Sequence, residues 1–190
     1  SAMLVGTEFD AATTSVVHEQ DGVTITAFPV IHALHGAVGY RVDFAGVSVV
    51  FSGDTHPCWP LVHAAQGTDL LIHECFPSAA TLAAMTGQPI ERFTVVTSAH
   101  TVPKTAGKVF SLVQPRMGAL WHLDLTPGVD AVFDEVSTNY GGPVTACQDL
   151  TVFNITEADV SARQAKVNVA ASPVHGPSHT EPSPEAPSTP

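Results

Sequence analysis

The stretch VVFSGDTHPCWPLVHAAQGTDLLIHECF, residues 49–76, decides how this chain is read. A β-branched run ends at Phe51 and gives way to a Gly-framed turn that carries one carboxylate, Asp54. Pro60–Gln66 reads as a short helix and DLLI (69–72) as a short buried strand. His73 and Glu74 follow that strand at once. Strand, polar turn, helix, strand and polar pair in this order argue for an α/β layered fold. Such folds bind ligands at the rim formed by their strand ends.

Working outward, the same alternation continues. Val23–Phe28, Val38–Phe44 and Val47–Phe51 read as β-strands, with FAG between the last two as a tight hairpin turn. Residues 77–86 and 103–113 read as helices, and Pro103 suits a first turn, where its missing N–H would lack a partner anyway. MGALW (117–121) is a second buried strand. PGVDAVFDEVSTNYGG gives a helix closed by glycines, and LTVFN (150–154) a last strand. The Pro- and Ser-rich residues 172–190 show no hydrophobic period and read as a disordered tail carrying His175 and His179. The expected organisation is a leading segment 1–17, a domain 18–157 and a tail 158–190.

Bulk composition narrows the function. A chain of 190 residues that is 44% hydrophobic can bury one core. Seven Lys+Arg against 18 Asp+Glu give a formal net charge of −11. Nucleic-acid binding is driven by clustered basic residues, which this chain lacks, so nucleic acid is disfavoured as a partner. Three cysteines without a CxxC pair fit a reduced compartment better than a disulfide framework, and a cytoplasmic location is expected. No apolar run reaches the roughly 18–20 residues needed to span a bilayer.

The histidines then explain Asp54. His32 follows the first of these strands after a short extension, His73 and Glu74 follow 69–72, and His122 follows 117–121. His100 precedes a helix start. One histidine after a buried strand is usually structural; several at successive element ends, together with Asp54, point to a shared polar site. Neutral imidazole with carboxylate suits zinc, iron or manganese. A lone carboxylate among imidazoles suits a bridge between two ions, since it offers two oxygens. The remaining histidines, His18, His35, His56 and His63, read as exposed or flanking side chains. Cys58 and Cys75 read as buried thiols, Lys104 and Lys108 as a solvated helix face, and Trp59 and Trp121 as core or pocket wall.

ITAFPVIHALHGAVGYRV, VVFSGDTHPCWPLVHAAQGTDLLIHECF, SAHT and ALWHLDL, in that order, resemble the second half of a metallo-β-lactamase-fold hydrolase of the ribonuclease Z and arylsulfatase-like branch. The resemblance covers about residues 22–156. It implies half of a four-layered αββα sandwich, with a dinuclear zinc centre in which iron or manganese are alternatives. His32, Asp54 and His122 would be metal ligands, Asp54 as the bridge. His100 would act on the leaving group, oriented by Glu74 of the His73–Glu74 pair, and with Asp54 these form the expected catalytic set.

Two departures qualify the resemblance. The family's H-x-H-x-D-H signature belongs to the first half of the fold and is absent; HALH (32–35) has the wrong spacing. The expectation is therefore an N-terminal half that supplies the remaining ligands, with an inactive scaffold half as the rival. An oxygen- or redox-active di-iron relative is a third reading, and self-association of the chain stays open. The second departure is the short VDFAGVSVVFS between Arg41 and Gly53, which leaves no room for the tRNA-gripping arm of tRNA-processing relatives. Small esters, lactones or phosphodiesters are the expected substrates.

Overall fold

Ala45 and Gly46 reverse the chain with φ of 49° and 81°, the two positive angles of a hairpin turn whose twist matches its strands. That turn joins β3 (Val38–Phe44) to β4 (Val47–Phe51) in antiparallel register. β2 (Val23–Pro29) pairs with β3, and β1 (Ser15–Gln20) pairs with β2 around a bulge near Val17. On the other side, β5 (Leu70–Glu74), β6 (Met117–Trp121) and β7 (Val144–Ala146) add in parallel, completing a seven-stranded sheet in sequence order. The computed structural model describes residues 6–123 and 129–165.

Parallel neighbours need crossover connections, and helices supply them. α1 (Trp59–Ala64) links β4 to β5. α2 (Ala79–Thr86), a 3-10 turn at Ile90–Arg92, α3 (Thr94–Thr97) and α4 (Pro103–Val113) lie between β5 and β6. α5 (Val129–Ser137) lies between β6 and β7. As expected for its position, Pro103 occupies the first turn of α4.

Strand alternation divides the sheet into two unlike faces. Val50, Leu71 and Leu120 point to one face and pack with Phe28, Leu61 and Phe110, all fully buried. Gly118 lets the Phe110 ring lie against β6; an added Cβ there would stand 3.0 Å from the ring. Residues in register with one another line the opposite face: Phe51 opposite Ile72, and Trp121 opposite Glu74. Phe44, Phe51 and Trp121 on that side are 51%, 42% and 38% exposed, so this face carries large apolar groups in contact with solvent.

Three strands fall outside the elements anticipated from sequence. β1 begins at Ser15, inside the segment assigned as a leader. β7 is only three residues long. β9 (Val160–Gln164) lies beyond the boundary set at 157 and pairs with β8 (Thr151–Ile155) as a separate hairpin. The guanidinium of Arg116 ties this hairpin to the sheet, donating to Asp69 Oδ1 and to the Thr156 carbonyl at 2.8 Å each. The tail reading of 166–190 and the helix start at Pro127–Gly128 lie outside the described residues. Among the described residues no helix is long and apolar enough to cross a membrane.

Candidate metal centre

Gly53 places Asp54. Its φ is +63°, and a Cβ on it would stand 2.7 Å from the Val38 carbonyl oxygen, so only glycine fits the turn after β4. The next residue, Thr55, is fully buried and gathers the neighbouring loops. Its N–H donates to Glu74 Oε1 at 2.7 Å, and its hydroxyl accepts from the N–H of Ile31 at 3.2 Å. Its carbonyl accepts from the Thr101 hydroxyl at 2.7 Å. The His56 N–H donates to the Ile31 carbonyl at 2.7 Å. The loops that bear His32, Asp54 and His100 are therefore fastened to one another and to the end of β5.

Two of the three imidazoles are held by a hydrogen bond at Nδ1, and the third has a carboxylate close to it. His32 Nδ1 lies 3.0 Å from the carbonyl of Ala99, which can only accept, so the proton sits on Nδ1 and Nε2 keeps its lone pair. His100 Nδ1 lies 3.0 Å from Glu74 Oε1. His122 Nδ1 lies 3.3 Å from Asp54 Oδ1. The His100 ring centroid is 5.0 Å from that of His32 and 5.0 Å from that of His122. His122 itself has φ of 61°, a left-handed conformation unusual for a residue with a side chain, at the end of β6. Strained backbone of this kind gathers at functional sites.

Electrostatics follow from burial. Glu74 is fully buried, and desolvation pushes its carboxyl up to about 7. The N–H groups of Thr55 and Thr101 pull it back down, the Asp54 charge raises it, and His122 lowers it. Burial also holds His100 below the ordinary imidazole value; Asp54 opposes that shift and His32 reinforces it. A neutral His100 with its Nδ1 proton directed at Glu74 leaves Nε2 with a free lone pair. Phe76 stacks on the His100 ring at 4.7 Å and 24°, and lies 5.3 Å from His122.

The fold thus brings His32, Asp54, Glu74, His100 and His122 to one rim, as the sequence pattern anticipated. It does not bring His73. Successive residues of a strand face opposite sides, and His73 points under α4, fully buried, its ring 6.2 Å from Phe110. Its Nδ1 donates to the Glu74 carbonyl at 2.6 Å, while Nε2 has no partner among the described residues. Burial drives its pKa down to about 4. Of the flanking side chains, His18, His35 and His63 are exposed. Cys58 and Cys75 are buried free thiols, Cys75 pushed well above the usual thiol range by burial. Sequence reasoning passed over Thr55, Thr101 and Phe76. Their signal was adjacency, since each directly follows or closely flanks an expected site residue.

The donors present fit a divalent metal ion. One ligand atom from each of His32, Asp54 and His100 lies within 4.8 Å of the others, and the same holds for Glu74, His100 and His122. Imidazole nitrogens and carboxylate oxygens are the donors of zinc and of first-row metals generally. The anchoring of Nδ1 by a carbonyl or carboxylate, as in His32 and His100, is what metal-ligating histidines show.

Comparison with known proteins places this arrangement. Over 74% of its length the chain superimposes on the metallo-β-lactamase-fold protein YhfI of Bacillus subtilis, with a TM-score of 0.56 and 22% identity, covering 52% of that chain. Zn2+-bound PqqB of Methylobacterium extorquens gives the same TM-score, 0.56, at 14% identity, over 73% of this chain and 52% of that one. The chain has the metallo-β-lactamase fold. In sequence it resembles ribonuclease Z: it is 43% identical to the Mycobacterium avium enzyme over 58 residues, 30% of this chain and 21% of the relative. The Mycobacterium marinum ribonuclease Z matches at 40% over 62 residues, 32% of this chain and 22% of the relative. The matches thus span about a fifth of the length of these curated relatives. No family model matches the chain.

Proposed function

We propose that this chain is the catalytic-rim half of a metal-dependent hydrolase, completed by an N-terminal half that contributes further metal ligands. The observation that carries the proposal is the shared rim: three imidazoles converge on Asp54 and Glu74, two of them with Nδ1 hydrogen-bonded to a fixed acceptor. His32 and His122 would hold one metal each, with Asp54 between them. Such a metal pair, when bound, supplies a water deprotonated near neutral pH and a clamp for substrate oxygens. Glu74 keeps His100 in one orientation, and His100 Nε2, unprotonated at rest, would first take up the proton that the attacking water gives up and then pass it to the departing oxygen. Phe76 limits the movement of that ring by stacking on it.

Two observations support the missing half. Phe51 and Trp121 stand exposed on a sheet face, and the superposition covers about half of each structural neighbour. A second sheet laid on that face would bury them, as sheet-on-sheet packing does. Zinc is favoured by the donor set. Small esters, lactones and phosphodiesters fit an acidic protein whose β3–β4 connection is a two-residue turn. An RNA phosphodiester is the second reading, favoured by the ribonuclease Z match and opposed by the charge of −11. The test joins this chain to the segment encoded upstream of it and loads zinc. Hydrolysis of bis-p-nitrophenyl phosphate or p-nitrophenyl acetate, lost in Asp54→Ala, is the expected result. Retention of two metals and full activity in Asp54→Ala would sink the assignment.

A further inference from the structure

The geometry points to a single-ion site formed by this chain alone, in which His32 Nε2, Asp54 and His100 Nε2 bind one divalent transition-metal ion. This deepens the reading above, on whose residue cluster it rests, by giving His100 a place among the ligands. One donor atom from each of these three residues already lies within 4.8 Å of the others, and with both Nδ1 atoms engaged by Ala99 and Glu74 it is Nε2 of each ring that is free to bind. In a tetrahedron with bonds of about 2.1 Å, donor atoms stand roughly 3.4 Å apart. Side-chain rotations of ordinary size close that difference. Three protein donors and one open position is the pattern of catalytic zinc.

The outer partners single out this set from the other. His32 Nδ1 faces the Ala99 carbonyl, and His100 Nδ1 faces the Glu74 carboxylate, each at 3.0 Å. His122 Nδ1 stands 3.3 Å from Asp54 Oδ1, within ion-pair range. Both imidazole ligands therefore have a neighbour that orients them, the arrangement that supports metal binding. The second group, Glu74 with His100 and His122, lacks this freedom. Both Glu74 oxygens are occupied: Oε1 by the Thr55 N–H at 2.7 Å and by His100 Nδ1, Oε2 by the Thr101 N–H at 3.3 Å. Glu74 is thus a positioning residue for this ion and His122 an outer partner. In the completed two-metal centre, donors from the first half would release His100 from the ion and free its Nε2 for proton transfer.

The experiment titrates the 190-residue chain, freed of metal with a chelator, with Zn2+ by calorimetry and with Co2+ by visible absorption. The expected result is one ion per chain. His32→Ala, Asp54→Ala and His100→Ala should each weaken Zn2+ binding by at least tenfold, and Glu74→Gln by about 10–100-fold. His122→Ala should cost less than His100→Ala, and the exposed His63→Ala should stay within about threefold. Should His100→Ala lose its circular-dichroism signature, long-range 1H–15N spectra of the unaltered chain decide instead. The Nε2 resonances of His32 and His100 should then move on Zn2+ addition while that of His122 stays near its place. No Zn2+ bound, binding lost in His122→Ala but kept in His100→Ala, or a shifted His122 Nε2 alone would each overturn the proposal. Failure here leaves the hydrolase reading standing, because there the first half completes the ligand set. Failure of hydrolysis leaves this site standing, because binding is read without activity.

Discussion

His73 and Glu74 are neighbours in β5 and both are fully buried, yet burial does opposite things to them. On the helix side, His73 sits in an apolar core with one ring nitrogen unpartnered among the described residues, and desolvation keeps it neutral. On the rim side, Glu74 collects two backbone N–H groups and an imidazole. There burial creates a carboxyl that titrates near neutrality. The difference teaches that the pair does not act as a unit: one residue belongs to the packing of α4, the other to the hydrogen-bonded rim that holds His100.

The largest effects should separate the two sides cleanly. Phe110→Ala removes the ring that fills the space between α4 and β6, and should cost about 3–5 kcal/mol of stability in urea unfolding. If the site stands on the far side of the sheet, the rate constant of the surviving folded fraction in the completed enzyme should change far less than its stability. His100→Ala should do the reverse, lowering kcat of the completed enzyme by roughly 10²–10⁴-fold with little loss in unfolding free energy. An equal fall in both quantities for either variant would break the comparison.

A pH experiment sharpens it. The folded-state pKa of His73 is about 4 against an ordinary 6.5, so the unfolded chain takes up the proton first as pH falls. Its contribution to stability is whole above pH 6.5 and is lost progressively toward pH 4, amounting to about 3 kcal/mol. Glu74 acts in the opposite sense. Its folded pKa of about 7 lies above the ordinary 4.5, so its contribution is present below 4.5 and lost as pH rises through 7. The two partly cancel in the unaltered protein. His73→Leu should uncover the difference: relative to the unaltered chain in metal-free buffer, its stability should improve steadily from pH 6.5 to 4. A parallel pair of pH–stability curves would show that His73 is not the buried neutral base described.

The smallest effect concerns the two faces. Phe51→Ser replaces a ring that is 42% exposed and should alter the stability of this chain by less than about 1 kcal/mol, unlike Phe110→Ala. In the chain joined to its upstream segment the same substitution should cost several-fold more, because there the ring would be covered. Equal costs in both contexts would remove the exposed face as a docking surface for the proposed first half.

Much of this was legible in the linear chain. The order of strands around Asp54, the tight turn at Ala45–Gly46 and the polar residues after β4, β5 and β6 could be read because each rests on local rules. Those rules are period-two burial, glycine at positive φ, and proline at a helix start. The short strands β7 and β9 were not legible, since three to five residues carry too little pattern to stand out from loop. The role of Thr55 was hidden for a different reason: its bonds reach 24 residues back to Ile31, 19 forward to Glu74 and 46 forward to Thr101.

By itself the sequence determined the donor types, their order and the element that carries each, because these follow from side-chain chemistry and local backbone preference. Only the tertiary structure decided which donors share a cleft. It turned His73 into the core and Glu74 toward the rim, set the His100 ring 5.0 Å from both His32 and His122, and fixed Nδ1 of His32 and of His100 on acceptors. Those outcomes depend on sheet register and on contacts between residues far apart in the chain, which no local pattern encodes.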